Sequence, residues 1–581
     1  MPNYLTEGGQ LVAGFSGIGK FRGRRAHELS DDERAVINYF FTNDDSNVYA
    51  VKDEMPMELW AMLMGQYARS NLTAKERLLK LLRDVPKKDP SAKTLEEIAE
   101  VIRCEGDVKA SLKAHLDRAG RFIESYGIDY GHASLRDSAV VRVCFEGVSQ
   151  RATKFLESAR EGAYQEQSTR ATPFRMDMLA IPTEVRGTVF EARFSEIGRR
   201  LIDLYEKIFS ASFDYLKKNF DYLRAEADRR IREETGGKCI GLNEKEWNDV
   251  IRSKAFDIAR FLLPQNITTS LGMTLCLRRF QDQLTEWQSC EFEELRILGM
   301  AARVEASKIF PFLMKYGGPS EFYSKLPVRG RSLSGGVLGG DSCQGDYSHH
   351  EVSSKLISVT PDIEDMVLAS ILFENHRGHT FAEILETVRK LSPEKRRQIA
   401  KSQFEGKKSF ELNPKTTEIG SFVFCRRYDI GAFRDLQRQR GDRQRVGPYS
   451  TNLGYHMPEE ISFLEGGLDE DFEKVLKEVK DLHDDLKNEE MHSAAQYVPV
   501  MANLIEHVVT MDPNQLFYQA KLRCQPAGAD SYRKIALQEI EQGLEHLPAF
   551  RGLIDFDSTP KYPLNRLVEA VNGKIRRVCN G

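Results

Sequence analysis

Seven arginines lie close together in the second half of the chain, and arginine is the side chain best suited to holding a phosphate group. Its planar guanidinium presents a fork of donors that matches phosphate oxygens. The whole chain has 83 basic and 87 acidic side chains and a net charge of −4, so the cluster is a local feature and indicates a phosphate-bearing small ligand. This 426–445 cluster consists of Arg426, Arg427, Arg434, Arg438, Arg440, Arg443 and Arg445.

Two other interpretations of the 426–445 cluster stay open. Single-stranded nucleic acid also binds along basic grooves. Alternatively, the cluster is the charged face of a helix, because Asp429, Asp435 and Asp442 are interleaved with the arginines and would pair with them.

A polar loop in the first half carries a second set of functional side chains. Residues 165–170 read QEQSTR, so Glu166, Ser168 and Arg170 place an acid, a hydroxyl and a guanidinium near one another. The plainer interpretation is an ion pair between Glu166 and Arg170, four residues apart, with Ser168 as a helix cap.

Two motifs suggest other chemistry but lack its context. Residues 14–20, GFSGIGK, fit the glycine and lysine positions of a P-loop, but Phe21 stands where Ser or Thr would hold magnesium. His376 and His379 lack the spacing of a metal-binding motif, and surface histidines are the better interpretation. We therefore predict neither a P-loop nor a metal site.

The elements that must position these side chains occur twice. Residues 139–146 predict a strand that Gly147 ends, and helical spacing follows over 148–164. Residues 419–427 predict a second strand, followed by a helix over 432–440. The polar loop and the arginine-rich loop come directly after the two predicted helices.

Each strand–helix pair is followed by a long stretch with helical spacing, at 259–287 and at 495–523. This repetition predicts an ancient duplication. A glycine-rich segment around 335–340 has no strand before it and is expected to be a linker or loop between the copies. The 581 residues, enough for about four domains, then form two large halves.

The chain also shows the features of a cytoplasmic protein. Its nine cysteines are scattered, odd in number and without a CxxC pair, so reduced thiols are expected. The N-terminus lacks a basic region followed by an apolar run, and no stretch of 18 uncharged apolar residues occurs. We expect no secretory signal and no membrane span.

The two units resemble the flavin-dependent thymidylate synthase family, and in particular its double-length members. That family places Arg-His-Arg at the end of a helix that follows a strand, then a loop of the form Asn-Glu-x-Ser-x-Arg. A later helix ends in a substrate-binding Arg. Residues 164–170, YQEQSTR, and 433–438, FRDLQR, resemble the sequences found in the double-length members.

The family motifs are broken in a complementary way. The first copy keeps the loop at 165–170, but Ser158-Ala159-Arg160 stands for Arg-His-Arg and Trp287 for the late-helix Arg. The second copy keeps Arg438-Gln439-Arg440 and Arg523, but its loop at 441–446 has lost the pattern. Because family enzymes build each substrate pocket between subunits, the resemblance implies one composite nucleotide site with contributions from both copies and a degenerate second site. It leaves open whether the two halves of that site meet within one chain or across a dimer.

The resemblance implies a role for each matching residue. Gln439 replaces the family's His, and Asp435 stands where the family often has a substrate-contacting Gln, so the base and the flavin stay open. The implied substrate-binding residues are Glu166, Arg170, Arg438 and Arg523; the catalytic residues are Ser168 and Arg438; the flavin contacts are His132, Arg278, Arg438, Gln439 and Arg440.

The activity that the resemblance implies is reductive methylation of dUMP or a related pyrimidine nucleotide. FAD would be the cofactor, with NADPH and methylene-tetrahydrofolate as co-substrates, and a homodimer would imitate the family tetramer. The alternatives are a non-catalytic descendant that binds a nucleotide or acts as a scaffold, and, with less support, an RNA-binding protein.

The expected fold is α+β, with two diverged repeats of the thymidylate-synthase-complementing type, each a helix-rich unit around a small β-sheet. We expect the first repeat at residues 1–320, a glycine-rich linker at 321–350, and the second repeat at 351–581.

Overall fold

The computed structural model describes residues 26–42, 44, 51–67, 72–84, 93–123, 133–170, 172–339 and 347–580. The P-loop-like segment 14–20 and the predicted flavin contact His132 lie outside these residues.

The chain forms two compact units whose boundaries differ from those of the predicted repeats. The first unit comprises residues 1–143, 272–291 and 295–329. The second comprises residues 144–271, 292–294 and 330–581. The predicted division at 321–350 stays a prediction, because the units follow spatial contacts and not sequence repeats.

The described residues are rich in helix. The helices are α1 (Asp31–Phe40), α2 (Met57–Tyr67), α3 (Ala74–Arg83), α4 (Leu95–Arg103), α5 (Val108–Ser111), α6 (Lys113–Phe122), α7 (Gln150–Leu156), α8 (Glu191–Asn219), α9 (Asp221–Glu234), α10 (Glu244–Ala259), α11 (Leu277–Ser289), α12 (Glu293–Ile309), α13 (Glu321–Leu338), α14 (Ile363–Asn375), α15 (Phe381–Val388), α16 (Pro393–Phe404), α17 (Ile430–Leu436), α18 (Leu468–Asn488), α19 (His492–Ala495), α20 (Pro513–Arg523), α21 (Asp530–Glu545) and α22 (Leu567–Asn580).

The described residues also form two small sheets, which confirms the predicted α+β class. Their strand orders are β1-β3-β2 and β4-β5-β7-β6, and in the larger sheet β5 pairs antiparallel with both neighbours. The strands are β1 (Val140–Ser149), β2 (Ala163–Glu166), β3 (Thr268–Cys276), β4 (Ser353–Val359), β5 (Phe422–Asp429), β6 (Arg443–Val446) and β7 (Leu504–Met511).

The two sheets are built in the same element order. A long strand leads directly into a seven-residue helix, α7 or α17, and a short strand follows. Each helix begins at a side-chain cap: Ser149 accepts the N–H of Ala152 at 3.0 Å, and Asp429 accepts that of Ala432 at 2.7 Å. A later strand, β3 or β7, then inserts between the first two. The duplication that would explain this agreement remains a prediction.

Several predicted boundaries are wrong. Gly147 does not end the first strand: with φ of 64° and open space around it, it lets β1 continue to Ser149. The helix after it covers only α7, because β2 occupies the end of the stretch 148–164. In the second half, α17 ends at Leu436, before Arg438.

The late stretches and the linker also differ from the prediction. Residues 259–287 and 495–523 were expected to be helical, but they contain the strands β3 and β7. In β3 buried side chains alternate with more exposed ones, the two-residue period of a strand. Residues 321–338, within the predicted glycine-rich linker, form the exposed helix α13.

Each unit has its own apolar core. Residues such as Val36, Phe40 and Leu78 form the core of the first unit. In the second, Phe422 and Phe424 of β5 pack with helices that include α20 and α21. The larger sheet thereby fixes the start of α17 and the end of α20, from which functional side chains project.

Candidate functional site

Arg170 forms a tight ion pair at the end of the polar loop. Its Nε and Nη2 donate to the two carboxylate oxygens of Asp257 at 2.5 and 2.6 Å, and Nη2 also donates to the carbonyl of Ala527 at 2.9 Å. Burial alone would lower the pKa of Arg170, but Asp257 outweighs burial and raises it. Arg170 is therefore a fixed, permanently charged group.

Glu166 lies between two cations. Its carboxylate accepts from Lys154 at 2.9 Å and from Arg434 at 2.6 Å. Burial alone would raise the pKa of Glu166, but Arg434 and Lys154 outweigh burial and lower the pKa to about 2. Lys154 also donates to Glu157 at 2.7 Å, so this side chain links two buried acids.

Asp435 lies between two further arginines, but more loosely. Its carboxylate oxygens are 3.5 Å from Arg438 Nη2 and 3.8 Å from Arg260 Nη1. Arg260 is 2% exposed and also lies 3.9 Å from Asp257. Burial alone would raise the pKa of Asp435, but Arg260, Arg523, Arg170 and Arg438 together outweigh burial and lower it.

Arg523 reaches the same place from the end of α20. Its guanidinium lies over the ring of Tyr532, 5.6 Å from the ring centroid. The hydroxyl of Tyr532 is in turn 3.5 Å from Arg170 Nη1. Tyr532 thus joins the late-helix arginine to the loop arginine.

The structure thereby brings the four predicted substrate-binding residues together inside the second unit. Glu166 and Arg170 come from the first predicted repeat, Arg438 and Arg523 from the second. We call the whole group the composite centre; it consists of Lys154, Arg170, Arg260, Arg434, Arg438 and Arg523 with Glu157, Glu166, Asp257 and Asp435. These six cations and four carboxylates leave an excess of two positive charges, the charge that neutralises a phosphate monoester dianion.

Several members of the composite centre have no counterpart in the family motifs. Lys154, Asp257 and Arg260 are charged residues in largely buried helical segments, a pattern that marks them as members of ion pairs but does not identify their partners. Arg434 was counted only within the 426–445 cluster.

The other predicted site residues occupy varied positions. Ser168 is exposed, and its Oγ accepts the N–H of Arg170 at 3.3 Å. Arg440 is exposed, whereas Gln439 is 2% exposed and its Oε1 accepts from Gln515 at 3.1 Å. In the first unit, Arg278 pairs with Asp137 at 3.1 Å. Because the Gln439 amide points inward, this side chain does not fit a flavin contact, and we derive no step through the flavin.

The 426–445 cluster is not one exposed basic face. Arg426 is fully buried and donates to both carboxylate oxygens of Glu539 at 2.7 and 2.8 Å. Arg434 is 6% exposed and belongs to the composite centre. Two of the seven arginines are therefore internal.

A second polar group lines a cavity of about 470 Å³ that also touches Asp257. Here ligating atoms of His349, Glu351 and His456 lie within 4.8 Å of one another, an arrangement that resembles a metal site. However, Nδ1 of His349 accepts the N–H of Met457 at 3.1 Å, so the ring proton lies on Nε2, the nitrogen that faces Glu351 at 3.5 Å. We therefore interpret the group as hydrogen-bonded and assign it no metal.

Residues 85–312 match the model of a family described as thymidylate synthase complementing protein. The predicted resemblance is confirmed, and the matched segment lies within the first predicted repeat. That residues 351–581 are a second copy stays a prediction.

Relatives of similar length also exist. The chain is 26% identical over 548 residues to a UPF0159 protein of Chlamydia muridarum, covering 93% of this chain and 97% of that one. It is 24% identical over 485 residues to a UPF0159 protein of Thermoplasma acidophilum, covering 79% and 93%. A solved UMP/dUMP methylase, PolB from Streptomyces cacaoi bound with 5-Br dUMP, aligns over 37% of this chain and 99% of its own with 13% identity; its TM-score of 0.26 supports no argument.

Among the described residues, no helix is both long enough and apolar enough to cross a membrane.

Proposed function

We propose that this protein is a thymidylate-synthase-like enzyme that methylates a pyrimidine nucleotide, dUMP or a close relative, held at the composite centre. The observation that supports this most is the meeting of Glu166, Arg170, Arg438 and Arg523 within one compact unit of a chain that contains a thymidylate synthase complementing protein segment. Cationic side chains around a phosphate, with little solvent between them, bind and orient it strongly.

Each residue then has a physical task. Arg170, fixed by Asp257, and Arg523, placed over Tyr532, would hold the phosphate. Arg438, 34% exposed in its side chain, would face the base. Glu166 would keep Arg434 and Lys154 in place as an ionised acceptor. Ser168 would hold the turn that presents Arg170.

The co-reactants are part of the proposal. As the resemblance implies, these are FAD as cofactor with NADPH and methylene-tetrahydrofolate as co-substrates, and no residue of the composite centre is assigned a step on the flavin. The side chains of the composite centre would position the nucleotide and supply the positive charge that binds its phosphate.

A non-catalytic nucleotide-binding descendant is the second candidate, and the inward-facing Gln439 favours it, because the flavin contact expected there is missing. An RNA-binding function is disfavoured because Arg426 and Arg434 are buried and paired with carboxylates.

Two measurements separate these functions. Binding of dUMP should raise the melting temperature of the wild type, and Arg523→Ala should abolish most of that shift. Arg445→Ala, which changes an exposed arginine outside the composite centre, should leave the shift unchanged. Equal shifts for wild type and Arg523→Ala would contradict the proposed site.

The visible absorbance of the purified protein after incubation with FAD decides between the enzyme and the non-catalytic descendant. Bound flavin together with dTMP formed from dUMP supports the enzyme. A protein that binds dUMP but takes up no FAD would be the non-catalytic descendant.

A further inference from the structure

Asp435 differs from the other carboxylates of the composite centre in how loosely it is held. Asp257 and Glu166 each accept short hydrogen bonds from cations, at 2.5 to 2.9 Å. Asp435 approaches Arg438 and Arg260 only to 3.5 and 3.8 Å. Its side chain is also the more exposed, at 17% against 3% for Glu166 and 7% for Asp257. Of the three, Asp435 is the one that can move at least cost.

The cations around Asp435 have donors to spare. Nε and Nη2 of Arg260 are buried and have no hydrogen-bond partner among the described residues. The same holds for Nε of Arg523, whose charge also acts on Asp435. Buried guanidinium N–H groups without acceptors are costly, so a site of this kind is built for an oxygen-rich ligand or for water.

A phosphate group suits these donors better than a carboxylate does. It offers three peripheral oxygens and up to two negative charges, whereas Asp435 offers two oxygens and one charge. The guanidinium of Arg260 is planar, permanently charged and 2% exposed, so its unpartnered donors form a fork that matches phosphate oxygens.

We propose that Asp435 holds the place of the ligand's phosphate among the arginines of the composite centre, that the phosphate displaces it on binding, and that Arg260 is a further phosphate-binding residue. This inference rests on the proposed function. It makes Asp435 a specificity-determining residue: a ligand must outcompete an internal carboxylate, so dianionic phosphate esters bind and monocarboxylates do not.

The test compares Asp435→Asn with Asp435→Glu, measuring the affinity of each by calorimetry. The probes are inorganic phosphate, dUMP and 2′-deoxyuridine, which lacks the phosphate. Asparagine removes the competing charge, so inorganic phosphate and dUMP should each bind about tenfold more tightly, and 2′-deoxyuridine should be unaffected. Glutamate keeps the charge and should keep the wild-type affinities.

Arg260 is tested by Arg260→Lys, which keeps the charge but removes the fork of donors. It should weaken phosphate and dUMP about tenfold in the Asp435→Asn background, while 2′-deoxyuridine is unaffected. The melting temperature and circular dichroism of the unliganded variant establish that it is folded. Should Arg260→Lys fail to fold, the comparison of Asp435→Asn with Asp435→Glu still decides the displacement.

Three outcomes would overturn the inference. The first is unchanged or weaker phosphate binding by Asp435→Asn. The second is a change of preference between dUMP and dCMP with no change for inorganic phosphate, which would mean that Asp435 contacts the base. The third is equal phosphate affinity of folded Asp435→Asn with and without Arg260→Lys. Failure of the proposed function looks different: phosphate affinity responds as stated, but dUMP binds no better than phosphate.

Discussion

At the scale of the residue, one buried carboxyl group links stability to pH near neutrality. Both carboxylate oxygens of Asp442 lack a hydrogen-bond partner among the described residues, and the nearest cation atom, Arg426 Nη1, is 4.0 Å away. Burial raises the pKa of Asp442 from 3.8 to about 7, against the weaker opposing effect of Arg426. Because the folded-state pKa is above the unfolded one, the stability from this group is complete below pH 3.8 and is lost as pH rises through about 7.

Asp442→Asn should flatten this pH dependence, because the amide has nearly the same shape and does not ionise. We expect the wild type to lose more than about 1 kcal/mol of unfolding free energy relative to the variant between about pH 5 and about pH 8. Urea denaturation at both pH values measures the difference. Glu545→Gln, at an exposed carboxylate, is the control and should follow the wild type. Wild-type and Asp442→Asn curves that stay parallel would contradict the prediction.

Much of the site could be predicted from the family motifs. They alone assign Glu166, Arg170, Arg438 and Arg523 to one set of substrate-binding residues. The sequence could not give the pairing of Asp257 with Arg170 or of Arg260 with Asp435, because these partners are distant in sequence and only folding brings them close. It also could not show that Gln439 points inward, since that depends on its contact with Gln515.

At the scale of the element, the N-cap of α17 holds the helix that supplies Arg434. The side chain of Asp429 is fully buried and accepts the N–H of Ala432 at 2.7 Å. Asp429→Ala should remove this cap and destabilise α17 by about 1 kcal/mol, whereas Asp429→Asn keeps an acceptor and should stay close to wild type. Hydrogen exchange of the amides of α17 measures the effect locally.

The same pair of variants reports on the composite centre. If α17 positions Arg434, and through it Glu166, then Asp429→Ala should weaken dUMP binding several-fold and Asp429→Asn should not. Faster exchange in α17 with unchanged dUMP affinity would mean that the cap stabilises the fold but does not position the site.

Strands were predicted where β-branched and aromatic residues precede a turn signal, and were missed where the stretch as a whole has helical spacing. β1 and β5 were found, apart from their ends. β3 and β7 were missed because a longer helix, α11 or α20, follows each with at most one residue between, and its helical spacing dominated the whole stretch. The alternation of Leu271, Met273 and Leu275 was the signal for β3.

At the scale of the whole molecule, all residues of the composite centre come from one chain. The number of nucleotides bound per chain should therefore not depend on whether chains associate. The homodimer remains a prediction. If the protein dimerises, each chain still contains Arg170 and Arg523 linked through Tyr532. We therefore expect one nucleotide per chain in calorimetry, whatever the oligomeric state measured by light scattering.

Mixing two defective chains tests this arrangement directly. Arg170→Ala and Arg523→Ala chains are each expected to bind dUMP at least tenfold more weakly than wild type, because each loses one phosphate-binding guanidinium. When the two are unfolded together and refolded as a mixture, mixed dimers form but every chain still lacks one of the two arginines. Binding should stay lost, since both groups must come from the same chain. Recovery of wild-type affinity in a fraction of the sites would mean that the site is shared between subunits, as in the family tetramer, and that the contacts within one chain do not represent the functional assembly.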